Sequence, residues 1–149
     1  MQQDRENQLY TALSHMTLPD GITLRIWQSN DFSAIQQLAS TEGWTSPLQR
    51  PDEVLSAWQH SWPTLVAVSN NSVVGYVRAF TDGSITMYIA DLLVARHQRG
   101  RGIGRALLDA CHYLYPRTRL ELTAEEMARG FYESCGFRYI GPGMRKSYV

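Results

Sequence analysis

Between Tyr88 and Leu114 the chain changes period twice in quick succession, and no other stretch constrains its fold as tightly. Tyr88 to Ala95 is an apolar, strand-like run. Arg99-Gly100-Arg101-Gly102-Ile103-Gly104 follows it. Then Ile103, Ala106, Leu107, Ala110, Cys111 and Leu114 recur at i, i+3, i+4, i+7, i+8 and i+11, the stripe of a helix laid on a core. Pro116 stops that helix. A strand, a glycine turn and an amphipathic helix in this order call for a layered α/β arrangement.

The same stretch is built to meet an anion. The first four N–H groups of a helix lack internal partners, and the helix dipole places partial positive charge there. Without Cβ atoms, Gly102 and Gly104 let those N–H groups come close to a ligand. Four of the 14 Lys+Arg residues (Arg96, Arg99, Arg101 and Arg105) fall within ten positions, beside His97, where even spreading would place about one. A pyrophosphate-bearing cofactor is the expected occupant. Two familiar phosphate loops are excluded. The Walker loop needs Gly-Lys-[Ser/Thr], and the one lysine is Lys146. The dinucleotide fingerprint needs Gly or Ala at its third position, where Arg105 or Leu107 stands.

The 149 residues suit one domain, residues 1–149, with one core. Formal net charge is zero, so no global field draws the chain to nucleic acid or to a membrane. The polar N-terminus carries no apolar signal region, and Met1 to Met16 reads as a short leader helix or a loose tail. Cys111 and Cys135 lack metal-ligand spacing, and the four histidines are scattered. No metal is expected, and free thiols point to a cytoplasmic protein.

Along the chain, Ile22 to Gln28 alternates like a half-buried strand, and Phe32, Ile35, Leu38 and Ala39 stripe a helix that Gly43 ends. Pro51 opens a second helix carrying Val54, Leu55 and Trp58. Thr64 to Val68 and Val73 to Phe80 form a hairpin about Asn70-Asn71. Ile85 to Val94 is the next strand. After the glycine-turn helix come a strand at Thr118 to Leu122 and a helix at Glu125 to Ser134, with Met127, Ala128 and Phe131 inward. Two last strands follow, Phe137 to Ile140 and Arg145 to Val149. The order β-α-α-β-β-β-α-β-α-β-β predicts a mixed, mostly antiparallel α/β (α+β) sheet with helices on its faces.

Arg99, Gly102 and Gly104 spell Arg-x-x-Gly-x-Gly, with Asp91-Leu92-Leu93-Val94 ahead of it and Ala128-x-x-Phe131-Tyr132-x-x-x-Gly136-Phe137 behind it. This combination resembles the GNAT superfamily of N-acetyltransferases over about Ile22 to Val149. The family often has Asn seven residues before the tyrosine, where this chain has Glu125. The resemblance implies acetyl-CoA as cosubstrate. The backbones of Leu92 and Val94 would pair with the pantetheine arm as an added strand. The N–H groups of Gly100, Arg101, Gly102, Ile103, Gly104 and Arg105 would cradle the pyrophosphate. Arg99, Arg101 and Arg105 would add charge-assisted bonds.

It also implies that Tyr132 protonates the departing thiolate. A thiol near ~8.5 and a phenol near ~10 make that transfer inexpensive. The proton acceptor is open between Glu121, Asp91 and water. An alkylamine with pKa ~10.4 has about one molecule in 10³ to 10⁴ neutral at pH 7, a cost of ~4–5 kcal/mol that favours an acceptor. Glu121 lies on the strand before the tyrosine helix, where some relatives carry a catalytic glutamate. Asp91 has opposite side-chain parity to Tyr88, Ala90 and Leu92, which turns it away from the site.

The expected acceptor is a small-molecule amine or a peptide N-terminus. Trp44, Trp58, Trp62 and Arg50 in the front segment, with Glu42 and Asp52, are its expected recognition residues, and Trp58 is placed in the core by its helical spacing. A non-catalytic acyl-CoA-binding or regulatory domain on the same fold is the alternative. Arg145 to Val149, as a terminal strand, offers an edge for a homodimer.

Overall fold

Asn70 and Asn71 both take left-handed backbone, with φ of 49° and 63°. Two such residues make the tight turn whose twist matches that of paired strands. Strands β2 (Thr64–Ser69) and β3 (Ser72–Thr81) pair antiparallel through that turn. The computed structural model describes residues 1–149 and extends this hairpin to a five-stranded sheet. The other strands are β1 (Thr23–Ile26), β4 (Thr86–Val94) and β5 (Arg119–Glu121), and the order across the sheet is β1-β2-β3-β4-β5. Neighbours are antiparallel except β4 and β5, which run parallel.

Six helices flank the sheet: α1 (Gln2–Leu13), α2 (Phe32–Thr41), α3 (Ser46–Gln49), α4 (Pro51–Gln59), α5 (Ile103–Leu114) and α6 (Arg129–Ser134). On one face, Leu9 and Ala12 of α1 and the whole α5 stripe from Ile103 to Leu114 bury against Leu24, Leu65, Val77, Met87 and Ile89. Each large aliphatic side chain sealed there contributes about 1.5–3 kcal/mol. On the other face, Phe32 and Ile35 of α2 and Trp58 of α4 cover Val66, Tyr76 and Leu93. No helix is long and apolar enough to cross a membrane.

Two expectations are corrected, while the leader Met1 to Met16 takes the helical of its two readings, fixed by packing on α5 rather than by capping. The segment 125–134 divides into a 3-10 turn, Glu126–Ala128, and α6, so Met127 is fully exposed rather than inward. The two last strands do not form. Residues 137–149 have no regular structure, and Tyr139, Ile140, Met144, Tyr148 and Val149 are exposed. An alternating pattern becomes a strand only beside an edge that can pair with it, and β5 offers just Arg119–Glu121. The edge invoked for a homodimer is therefore absent from this fold. Tyr139 instead lies under the Arg129 guanidinium, 4.4 Å from ring centre to Cζ.

Candidate functional site

β4 and β5 pair only at Thr86 with Arg119, Met87 with Leu120, and Tyr88 with Glu121. Past Tyr88 the strands part, while β4 runs on to Val94. On its other side β4 is held by β3, and Ala95 N–H donates to the Val74 carbonyl at 2.8 Å. Antiparallel pairs alternate between bonded and unbonded. Val94 opposite Gly75 and Leu92 opposite Val77 are thus the unbonded kind. Their N–H and C=O groups point away from β3, into the opening that β5 leaves.

The glycine turn continues that opening. Gly100 and Gly102 have φ of 82° and 86°, the left-handed region that favours glycine. Gly102 precedes α5, and no side chain caps the helix. The N–H groups of Ile103, Gly104 and Arg105 thus remain free to meet an anion. Gly104 has a second reason to lack a side chain: a Cβ there would lie 2.9 Å from Phe131 Cζ. Leu92, Val94 and the turn 100–105 thus line one opening, with backbone donors and acceptors facing into it.

The arginines of the turn are held within the chain. Arg99 donates through Nε to the Val94 carbonyl (2.9 Å) and through Nη2 to Glu42 (2.6 Å). Arg96 also bonds Glu42, and reaches the Thr41 carbonyl at 2.7 Å. Arg101 donates to Gln98 and to the Asp20 carbonyl, and Arg105 to the Ser134 carbonyl at 2.5 Å. The turn therefore presents backbone donors, with its guanidinium groups bracing the elements around it.

Tyr132 stands beside this turn on the α5 face. Its ring meets Phe131 and Phe137 edge-on, with centroids 5.1 and 5.5 Å away. Burial, reinforced by the charges of Cys135 and Glu125, pushes its phenol up to about 12. Glu125, which occupies the family's asparagine position, thus helps keep the phenol protonated.

Glu121 lies on the opposite face of the sheet, beside Tyr88 across β5 and β4, with Arg119 Nε 3.0 Å from its carboxylate. Asp91 is on that face too, which corrects the parity argument. β3 pairs Arg78 with Asp91 but Ala79 with Ile89, so Ala90 is an extra residue in β4. Such a bulge resets the alternation. Arg78 and Phe80 share a face of β3, so their partners Asp91 and Tyr88 share a face of β4. Arg78 Nε donates to Asp91 at 2.6 Å and its Nη1 to Ser61 Oγ at 3.2 Å.

The front segment turns largely to packing and surface pairing. Trp58 is sealed in the core as its helical spacing predicts, tilted on Trp27 and edge-on to Tyr76. Trp62 is buried on the α1 and α5 side, donating to Tyr115 Oη at 3.1 Å. Arg50 pairs with Glu53 at the surface. Only Trp44 borders the α2 face without being sealed. Sequence reasoning set Glu42 in the acceptor segment rather than against the glycine turn, and it missed Arg78, Phe80 and Tyr88. For the last two the signal was present, since both stand on the polar side of alternating strands.

Comparison with known proteins agrees with this geometry. The model of the acetyltransferase (GNAT) domain matches residues 60–139. A GNAT-family acetyltransferase from Streptococcus pneumoniae superposes with a TM-score of 0.70 at 25% identity, over 85% of this chain and 96% of that one. Ard1 from Thermoplasma volcanium does so with 0.66 at 24% identity, over 81% and 85%. An aminoglycoside acetyltransferase from an uncultured soil metagenomic sample, in complex with sisomicin, gives 0.62 at 18% identity, over 87% and 97%. No curated protein matches the sequence. With that domain match spanning more than half of its length, and the sheet parting between β4 and β5, the chain belongs to the GNAT acetyltransferase family.

Proposed function

We propose that this protein transfers an acetyl group from acetyl-CoA to a primary amine, by direct attack in a ternary complex. One observation carries the reading. The outward backbone groups of Leu92 and Val94 and the uncapped start of α5 form a single polar track along the opening in the sheet. That track suits a cosubstrate with a pyrophosphate at one end and an amide-bearing arm at the other.

Acetyl-CoA supplies an activated thioester, and the chain's residues do the rest. An N–H of the Leu92 to Val94 stretch stabilises the oxyanion. Glu121, on one face of the sheet, takes the amine proton, and Tyr132, on the other, protonates the thiolate. Opposed placement lets the amine enter from one side and the thiol leave on the other. At a phenol value of about 12, transfer to a free thiolate near ~8.5 is uphill by about 5 kcal/mol. Burial of the thiolate in the same opening would raise its proton affinity toward that of the phenol.

The test is release of free thiol from acetyl-CoA with simple amines, amino acids, polyamines and peptide N-termini. Thiol release that depends on an amine, with a matching N-acetyl product, is expected. Tight acetyl-CoA binding with no transfer to any of these would instead make the protein a binding or regulatory domain.

A further inference from the structure

Phe80, Tyr88 and Glu121 stand in a row on three adjacent strands, on the face opposite Tyr132. The Phe80 and Tyr88 rings are stacked, with centroids 5.5 Å apart and planes 27° from parallel. Phe80 is 48% exposed. The helices on this face cover the sheet only as far as Tyr76 and Leu93. The row also marks the last position where β4 and β5 pair, so an open aromatic shelf ends at the mouth of the split. Tyr88 Oη lies 3.2 Å from Thr123 Oγ1, and Gly143 packs closely behind Thr123 to wall one side. The charges around it are matched: Arg78 with Asp91 and Arg119 with Glu121.

We propose that this shelf is the acceptor site and that the acceptor is an arylalkylamine, a primary amine on a short aliphatic arm from an aromatic ring. The proposal rests on the acetyl-transfer reading and names its substrate class. The acceptor ring packs face-on against the exposed edges of the Phe80–Tyr88 pair, an edge-to-face arrangement that aromatic quadrupoles favour beyond simple burial. The ammonium then falls toward Glu121, within reach of the Tyr88 ring face. Glu121 passes one ammonium proton to solvent, and the neutral nitrogen bonds to the acetyl carbon. Glu121 takes the second nitrogen proton as the carbon–sulfur bond breaks. The thiolate takes the Tyr132 proton, and the second proton returns through solvent to the phenolate. A purely aliphatic amine leaves the shelf uncovered. With both carboxylates already matched by arginines, net charge alone does not select the acceptor, so the aromatic surface does.

The experiment compares 2-phenylethylamine with n-butylamine as acceptors, reading kcat and KM separately. The aromatic amine should win by about tenfold in kcat/KM, mainly through KM. Phe80→Ala should shrink that ratio to within about threefold, and Phe80→Tyr should preserve it. A wild-type ratio near one, or a ratio that Phe80→Ala leaves unchanged, overturns the proposal while acetyl transfer stands. Should neither amine be acetylated, saturation-transfer NMR of 2-phenylethylamine on the acetyl-CoA-loaded protein decides. Binding that Phe80→Ala abolishes keeps the shelf while the transfer reading falls, and no binding removes the shelf.

Discussion

Glu42 Oε1 lies 2.6 Å from Arg99 Nη2, joining the residue that ends α2 to the start of the glycine turn. Arg99 also holds the Val94 carbonyl, so one guanidinium links a helix end, the strand edge and the turn. The hydrogen bond from Arg99, opposed by partial burial and helped by Arg96, lowers the Glu42 pKa. A lowered carboxyl contributes stability above its unfolded value and loses it as pH falls through the folded one. Both arginines are well exposed, so the network is worth at most about 1 kcal/mol.

Glu42→Gln should therefore lower Tm by about 2–4 °C at neutral pH. The gap between variant and wild type should close as pH drops below ~4. The KM for acetyl-CoA should rise, because the brace on Val94 and the turn is loosened. Thermal unfolding from pH 7 to 3, beside initial rates, checks both. A constant Tm gap across that range would show that the charge is not what matters.

Tyr132→Phe should lower kcat by about 10²-fold or more if the phenol is the acid, with folding preserved because the ring contacts remain. With the phenol up at about 12, kcat/KM of the free enzyme should show no alkaline limb from Tyr132 below pH 11. The shift also bears on stability. Burial raises Cys111 to about 12 as well, and a raised folded pKa costs stability as pH climbs from the unfolded to the folded value. Unfolding free energy should fall between about pH 9 and 12, as a denaturant series at stepped pH would measure.

Gly104→Ala places a Cβ 2.9 Å from the Phe131 ring. Overpacking of this kind costs about 1–3 kcal/mol. Phe131 packs edge-on against Tyr132, so the displacement should pass to the proposed acid and lower kcat, besides crowding the anion site. Gly102→Ala meets Pro19 only at 3.8 Å, so its cost is the left-handed φ of 86°, about 1–2 kcal/mol. The two variants should thus separate: Gly104→Ala changes kcat and KM together, and Gly102→Ala mainly lowers Tm.

Much of this was legible in the residues because the relevant physics is local. The α5 stripe is buried at each position that helical spacing names. The hairpin turns at the asparagine pair, and the glycine turn sits where strand period gives way to helix period. What stayed hidden depends on partners. The extra residue at Ala90 shows only when β4 is laid against β3, and it moves Asp91 to the other face. The apolar alternation after Phe137 looks like a strand but has no long edge to join. Trp62 reads as a surface aromatic until its indole N–H finds Tyr115, 53 positions away. The arginine cluster reads as free phosphate ligands until Glu42 and three backbone carbonyls claim its guanidinium groups.

Because the bulge puts Asp91 and Glu121 on one face, both carboxylates compete for the role of proton acceptor, and their surroundings separate them. Asp91 is bonded at 2.6 Å to Arg78, whose side chain is only 20% exposed. Removing that carboxylate leaves a largely buried guanidinium short of a partner, which costs about 1–3 kcal/mol. Glu121 faces Arg119, a far more exposed partner at 3.0 Å, so its loss should cost under about 1 kcal/mol. Asp91→Asn should therefore lower Tm more than Glu121→Gln does. Activity should order them the other way: Glu121→Gln should drop kcat/KM by about 10²-fold and flatten its acid limb. Asp91→Asn should keep the shape of the pH profile, apart from any loss to unfolding. If Asp91→Asn flattens the profile and Glu121→Gln does not, the proton leaves the amine through Asp91, and Arg78 becomes the group that holds the base in place.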